Sequence, residues 1–256
     1  MDLGQALIFG VVEGVTEFLP ISSTGHLILT ARLLQLSQTE FMKSFEIAIQ
    51  LGAIGAVCLL YAKTLLKNFD ILKKVLAAFI PTAMIGAVLY KVIKHYLLGS
   101  ESVVLWSLFI GGAVLIAFEV LHKEKKEATG ELANITYKQA CLIGVFQSIA
   151  MIPGVSRAAA TIIGGLVLGL KRRTIVEFSF LLAVPTLLAA TGLDLLKSAG
   201  SFTQDQFAFL AVGFVSSLVV ALISIRWLLV YIKNNNFILF GVYRIVIALL
   251  FWFVIK

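Results

Sequence analysis

Charge is the first thing this chain is short of. Only 14% of its 256 residues are Asp, Glu, Lys or Arg, against 60% hydrophobic, and mean hydropathy is +1.00. A soluble domain carries roughly 25% charged residues, so hydropathy excludes one even though the length would allow it. Proline is scarce, 4 residues beside 19 Phe, and no long polar stretch is present. The two cysteines, Cys58 and Cys141, sit in apolar runs. They lack the spacing of a metal site or a disulfide framework and read as small buried hydrophobes. The net charge of +7 does not point to nucleic acid, because the lysines lie between apolar runs. A cytosolic face near anionic lipid accounts for them. Asp2 stands where a signal peptide carries basic residues, and no small-residue cleavage site follows the first apolar run. No cleavable signal peptide is expected.

What is there is membrane. Six apolar segments, at about 44–62, 75–93, 103–121, 176–196, 207–228 and 237–255, can each reach roughly 20 residues with their flanks. The last carries one interior charge, Arg244. Two further regions, 3–34 and 139–170, are equally apolar but broken in the middle by Pro and small residues. Proline ends a helix by steric clash and a missing N–H, and Gly25 and Gly154 allow a tight turn. Each region reads as a re-entrant hairpin or discontinuous helix, tolerated at membrane depth only where protein or a cavity surrounds it.

The two broken regions resemble each other. A shift of 134 residues carries Gly10 onto Gly144, Val11 onto Val145, Glu13 onto Gln147 and Ser22 onto Ser156, while Pro20 falls on Gly154, beside Pro153. Three spans separate them, which inverts one half relative to the other. The expected fold is an all-α integral membrane protein with about six transmembrane helices plus two re-entrant helix pairs in an inverted-topology repeat. It forms one transmembrane domain over 1–256, with halves at about 1–121 and 139–256 joined by a basic cytoplasmic loop, 122–138. With both termini outside, the inside loops hold thirteen basic residues: Lys63, Lys67, Lys73, Lys74, Lys123, Lys125, Lys126, Lys138, Lys171, Arg172, Arg173, Arg226 and Lys233. The outside holds six: Arg32, Lys43, Lys91, Lys94, Lys197 and Lys256. That bias predicts extracytoplasmic termini.

The polar residues inside the apolar segments gather at the two breaks. Glu13 and Glu17, four apart, share a helix face and need a cation, a shared proton or a basic partner. Intramembrane ionisable residues are functional candidates by default. After them come Pro20, Ile21, Ser22, Ser23, Thr24, Gly25 and His26. Ser22 to Thr24 can cap the following helix, whose free N–H groups can hold an anion. His26 can serve as acid, base or nucleophile near neutral pH. The second motif is Pro153-Gly154-Val155-Ser156-Arg157, with Thr161 one turn on. Arg157 offers a rigid donor fork for phosphate, and Gly154 and Val155 can add N–H groups in an anion nest. The plainer alternative makes Arg157 a structural partner of Glu13 or Glu17. The whole set suits phosphoryl transfer from a membrane-borne substrate. From chemistry alone, a hydrolase of lipid phosphate or pyrophosphate stands beside an ion-coupled anion transporter.

The run Gly10-Val-Val-Glu13-Gly-Val-Thr-Glu17-Phe-Leu-Pro20-Ile-Ser22-Ser-Thr-Gly-His26 resembles the bacterial undecaprenyl-diphosphatases of the bacitracin-resistance type. So do Pro153-Gly-Val-Ser156-Arg157, Phe45-Glu46 followed by Gln50-Leu-Gly52, and Glu177-Phe-Ser-Phe-Leu-Leu-Ala-Val-Pro185. The likeness covers nearly the whole chain. It implies hydrolysis of undecaprenyl diphosphate to undecaprenyl phosphate and inorganic phosphate. That reaction recycles the lipid carrier for peptidoglycan and other wall polymers and confers bacitracin resistance. It also implies a divalent cation such as Mg2+ or Ca2+ at Glu13 and Glu17, and a bacterial cell-membrane site open to the extracytoplasmic side. The resemblance makes Glu13, Glu17, Ser23, His26 and Arg157 the catalytic set. Ser22, Ser23, Thr24, Gly154, Ser156, Arg157 and Thr161 become the substrate-phosphate set. Ala158 departs from the family, which usually has Ser there. The nucleophile stays open among water, His26 and a serine hydroxyl, with His26 as base or nucleophile leading. The expected partners are undecaprenyl diphosphate and membrane lipids, no nucleic acid is expected, and a homodimer is left open.

Overall fold

A computed structural model of the chain describes all residues except 38, 93–96, 98–99, 125–127, 199–203 and 256. Lys94, Lys125, Lys126 and Lys256, counted above in the charge bias, lie outside the described residues. The helices, in chain order, are α1 (Leu3–Thr16), α2 (Ser23–Leu33), α3 (Glu40–Leu60), α4 (Ala62–Lys67), α5 (Phe69–Val92) and α6 (Glu101–Leu121). There follow α7 (Tyr137–Gln147), α8 (Arg157–Val167), α9 (Arg172–Ser198), α10 (Gln204–Tyr231) and α11 (Ile238–Ile255). Short 3-10 turns cover Leu132–Asn134 and Ser148–Met151.

The protein is an all-helical, multi-pass integral membrane protein. Among the described residues five helices, α3, α5, α6, α9 and α10, are long and apolar enough to cross a membrane. Their surfaces are inverted relative to a soluble protein. Large apolar side chains such as Met84, Val88, Ile110, Leu121, Ile223 and Phe253 are exposed, while Glu13, Arg157 and Arg244 turn inward. Lipid favours this arrangement, since an outward charge would sit in hydrocarbon. The helices also outrun the apolar cores read from sequence. α10 extends to Gln204 and Tyr231, because polar ends can reach the interface without breaking the helix. The expectation for Cys141 fails. It is exposed, and Cys58 is only half-buried. Cys141 instead donates its thiol to the carbonyl of Ala77 at 3.5 Å. That carbonyl lies four residues before Pro81 inside α5, so proline leaves it without its helical N–H.

Both broken regions form a helix, a turn and a second helix, with matched ends. Capping boxes start α1 at Asp2 and Gln5 and α7 at Thr136 and Gln139. Ser22 and Ser156 cap α2 and α8, both with φ of 74°. At the far ends Leu36 N–H reaches the Ala31 carbonyl at 2.9 Å and Leu170 N–H the Gly165 carbonyl at 3.0 Å. These pairs all lie 134 residues apart. Packing follows the same exchange: α1 lies on α10, α7 on α5, and α6 on α11. Gly10 meets Gly213 and Ser216, and Gly144 meets Ala78 and Pro81, with no room for a Cβ at either glycine. Small residues let backbones approach where hydrophobic burial gives no drive between helices.

Candidate active site

The two breaks face one another. α1 ends at Thr16, and after the turn through Pro20 Ser23 opens α2. Ser23 Oγ donates to Glu17 Oε2 at 2.5 Å. The other carboxylate oxygen, Oε1, accepts from Arg157 Nη2 at 2.8 Å. A serine hydroxyl, a carboxylate and an arginine from residues 140 apart thus form one chain. Arg157 Nη1 donates to the Ser179 carbonyl at 3.1 Å, and its guanidinium stands 6.0 Å from the Phe18 ring centre. Arg157 Nε is buried and has no hydrogen-bond partner among the described residues. Glu17 and Arg157 keep only 5% and 12% side-chain exposure, so the pair sits in a medium where charge interactions are strong and unpaired charge is costly.

This chain borders a cavity of about 300 Å³ whose polar wall includes Glu17, Ser22, Ser23, Thr24, Ser156 and Arg157. Gly154 also lines it. The N-termini of α2 and α8 therefore open into one space, and free first-turn N–H groups there favour an anion. Ser22 and Ser156 hold a positive φ without being glycine. Such backbone costs on the order of 1–3 kcal/mol and persists where the surroundings over-determine it.

Three expected site residues stand off the cavity wall. Glu13, one turn before Glu17, is fully buried, and neither carboxylate oxygen has a hydrogen-bond partner among the described residues. Thr161 is fully buried, with its hydroxyl directed to Ser179 Oγ at 2.7 Å and to the Arg157 carbonyl at 2.9 Å. His26 has both ring nitrogens engaged: Nδ1 with the Ser22 carbonyl at 2.7 Å and Nε2 with the Tyr243 hydroxyl at 2.8 Å. The carbonyl can only accept, so Nδ1 carries the hydrogen, and in the neutral ring Nε2 accepts from Tyr243. Other residues reach the cavity without having been singled out as site residues: Gln50, Thr82, Gln147 and Thr186. Gln147 Nε2 donates to Thr82 Oγ1 and to Thr186 Oγ1, each at 3.1 Å. The signal for Gln147 was in the sequence, as the residue onto which the shift carries Glu13.

The family model described as bacitracin resistance protein BacA matches residues 6–250. The chain belongs to this family. Among BacA relatives, the undecaprenyl-diphosphatase of Aquifex aeolicus is 51% identical over 247 residues, 96% of this chain and 96% of that protein. The undecaprenyl-diphosphatase of Sulfurihydrogenibium sp. is 50% identical over 97% of each chain. That of Methanococcus aeolicus is 42% identical over 99% of this chain and 100% of its own. The BacA match spans both breaks, all the residues of the Ser23–Glu17–Arg157 chain and the cavity they line.

Proposed function

We propose that the protein hydrolyses undecaprenyl diphosphate to undecaprenyl phosphate and inorganic phosphate, returning the lipid carrier to cell-wall synthesis and conferring bacitracin resistance. The observation that carries this reading is the Ser23–Glu17–Arg157 chain at the wall of a cavity between two helix N-termini. The terminal phosphate lies among the N–H groups of α2 and α8, with Arg157 as its charged partner. Ser23 Oγ attacks the terminal phosphorus while Glu17 takes the hydroxyl proton. The bond from that phosphorus to the bridging oxygen breaks, and its electron pair leaves with undecaprenyl phosphate. Glu17 passes that proton to the departing phosphate oxygen. The freed carboxylate then deprotonates the water that attacks the phosphoserine. The bond from phosphorus to Ser23 Oγ breaks with release of inorganic phosphate, and Glu17 returns the water's proton to Ser23 Oγ. Ser23 is favoured over His26 because it borders the cavity and already donates to a base. His26, held between Ser22 and Tyr243, steadies the cap of α2.

The carboxylates suit a divalent cation. Glu13 offers two buried oxygens without hydrogen-bond partners among the described residues, and Glu17 lies one turn away. Among the described residues no cluster of three or more His, Cys, Asp or Glu is close enough to hold a metal, so substrate oxygens and water would complete an oxygen shell around a hard ion. Such an ion would neutralise developing phosphate charge. Purified protein in detergent is expected to release phosphate from a C55 prenyl diphosphate and to lose at least about tenfold in rate in excess EDTA. Unchanged release in chelator would remove the cation. Absence of release from any prenyl diphosphate, with ion-coupled anion uptake in proteoliposomes, would return the transporter reading.

The reading extends to topology. The matched caps and exchanged packing support two halves in an inverted repeat, with α11 as the sixth span, the two broken helix pairs re-entrant, and the cavity open to the extracytoplasmic side. Both termini then face outward. A C-terminal reporter fusion is expected to be active only outside the cytoplasm, and cytoplasmic activity would overturn the orientation.

A further inference from the structure

We propose that Arg244, on α11, is a positioning residue that holds both breaks in register and so sets the geometry of the catalytic cavity. This rests on the hydrolase reading and concerns a residue outside the cavity wall. Arg244 is 0% exposed and makes no ion pair among the described residues. All five of its N–H donors instead reach backbone carbonyls. Nε reaches Leu108 at 3.3 Å, Nη1 reaches Pro20 at 3.3 Å and Val155 at 2.9 Å, and Nη2 reaches Ser107 at 2.9 Å and Gly154 at 3.0 Å. Pro20 belongs to the first break, Gly154 and Val155 to the second, and Ser107 and Leu108 to α6.

An arginine in a membrane interior pairs with a carboxylate or with backbone carbonyls. Here the charge is spread over three carbonyls at the two breaks and two within α6. Pro20 and Gly154 are equivalent under the 134-residue shift, so one guanidinium holds the same atom of both breaks. Space is left for it: a Cβ on Gly111 of α6 would stand 2.8 Å from Arg244 Cζ.

The consequence for the site follows from peptide geometry. In a trans peptide the N–H points opposite to the C=O. Fixing the Val155 carbonyl fixes the direction of Ser156 N–H, at the mouth of α8. Ser22 and Ser156 hold φ of 74°, and such backbone survives only under outside constraint. Arg244 supplies that constraint by gripping the Val155 carbonyl, directly before Ser156, and the Pro20 carbonyl, two residues before Ser22. It thereby aligns Ser23 with Glu17 on one side and Arg157 on the other. A lysine cannot take its place, since its three donors cannot reach five acceptors.

The test is steady-state phosphate release from C55 prenyl diphosphate by Arg244→Lys in detergent, with size exclusion and thermal unfolding to establish folding. The expected result is a folded enzyme whose kcat falls on the order of 100-fold, the cost of roughly 1 Å of misplacement, while KM stays within about threefold because alignment matters most in the transition state. A folded Arg244→Lys with wild-type kcat, or with a change in KM alone, overturns the proposal. Combined with Arg157→Lys, the losses are expected to multiply to less than their product, because both act on one assembly. Full multiplication overturns it. Should Arg244→Lys not fold, Gly111→Ala displaces the same guanidinium. It is expected to lower kcat at least tenfold, with Gly192→Ala, whose Cβ meets open space, as the unaffected control. Equal activity of Gly111→Ala and the control overturns the clamp. Protection against thermal unfolding by inorganic phosphate does not depend on turnover. It is expected in wild type and lost in Arg244→Lys, and equal protection of both overturns the clamp. Wild type protected by phosphate but releasing none would sink the hydrolase reading and leave the clamp standing.

Discussion

Replacing Ser23 by Ala is expected to reduce phosphate release by on the order of 10⁴-fold or more, the scale seen when a nucleophile is removed from a base-activated pair. The reason lies in one contact. Ser23 Oγ is 2.5 Å from Glu17 Oε2, within the range of a strong hydrogen bond to a charged acceptor. A serine hydroxyl is a weak nucleophile until a base takes its proton, and no other hydroxyl in the cavity donates to a carboxylate among the described residues. Ser22 is engaged in capping, its oxygen accepting from Gly25 N–H, and Ser156 does the same for Ala159. Ser22→Ala is therefore expected to cost far less in rate than Ser23→Ala, on the order of the 1 kcal/mol of a lost cap. Acid-quenched turnover followed by mass spectrometry should place a phosphoryl group on Ser23. If Ser23→Ala kept activity within tenfold of wild type and the label fell on His26, the histidine nucleophile would be restored and the assignment of Glu17 as base to serine would fall.

Arg157→Lys is expected to lower kcat on the order of 100- to 1000-fold, the range for losing an oriented donor to transition-state charge. Two roles compete for this residue. The Arg157–Glu17 contact at 2.8 Å shows that it neutralises a buried carboxylate. A lysine would preserve that charge balance, so under a purely structural role Arg157→Lys keeps substantial activity and Arg157→Ala unfolds. The remaining donors argue for more. Nη1 spends one hydrogen on Ser179 and Nε has no hydrogen-bond partner among the described residues, which leaves the fork with N–H groups unused. Paired N–H donors grip two oxygens of one phosphoryl group, whereas an ammonium supplies an unoriented charge. If that grip tightens as negative charge shifts in the transition state, the loss falls on kcat as well as on kcat/KM. Steady-state kinetics of both variants, with size-exclusion profiles, separate the roles. A folded Arg157→Lys with near wild-type kcat/KM would leave Arg157 as a counter-ion only.

Much of this protein is written along the chain. Long apolar runs with few charges fix helices in lipid, since an unpaired backbone has no partner in hydrocarbon. The two interrupted segments announce themselves because Pro20 and Pro153 stop a helix, and serines with small residues around them start the next. The shift that joins Ser22 to Ser156 was legible as well, though Glu13 and Gln147 differ in charge at the matched place. What a linear reading could not supply was which of these groups touch. Glu17 and Arg157 were candidates as partners, yet that Glu17 bridges Ser23 and Arg157 with separate oxygens depends on two turns meeting across 140 residues. His26 looked like the natural base because histidine titrates near neutral pH. Its place between Ser22 and Tyr243, off the cavity wall, comes from α11 packing on α6. Arg244 stood out only as a lone charge in an apolar span. Sequence alone determined the solvent, the helices and the places where they break, because hydropathy, proline sterics and capping act over a few neighbouring residues. Tertiary structure alone decided the partners, because hydrogen-bond geometry across a helix bundle is set by the packing of segments whose order along the chain carries no distance.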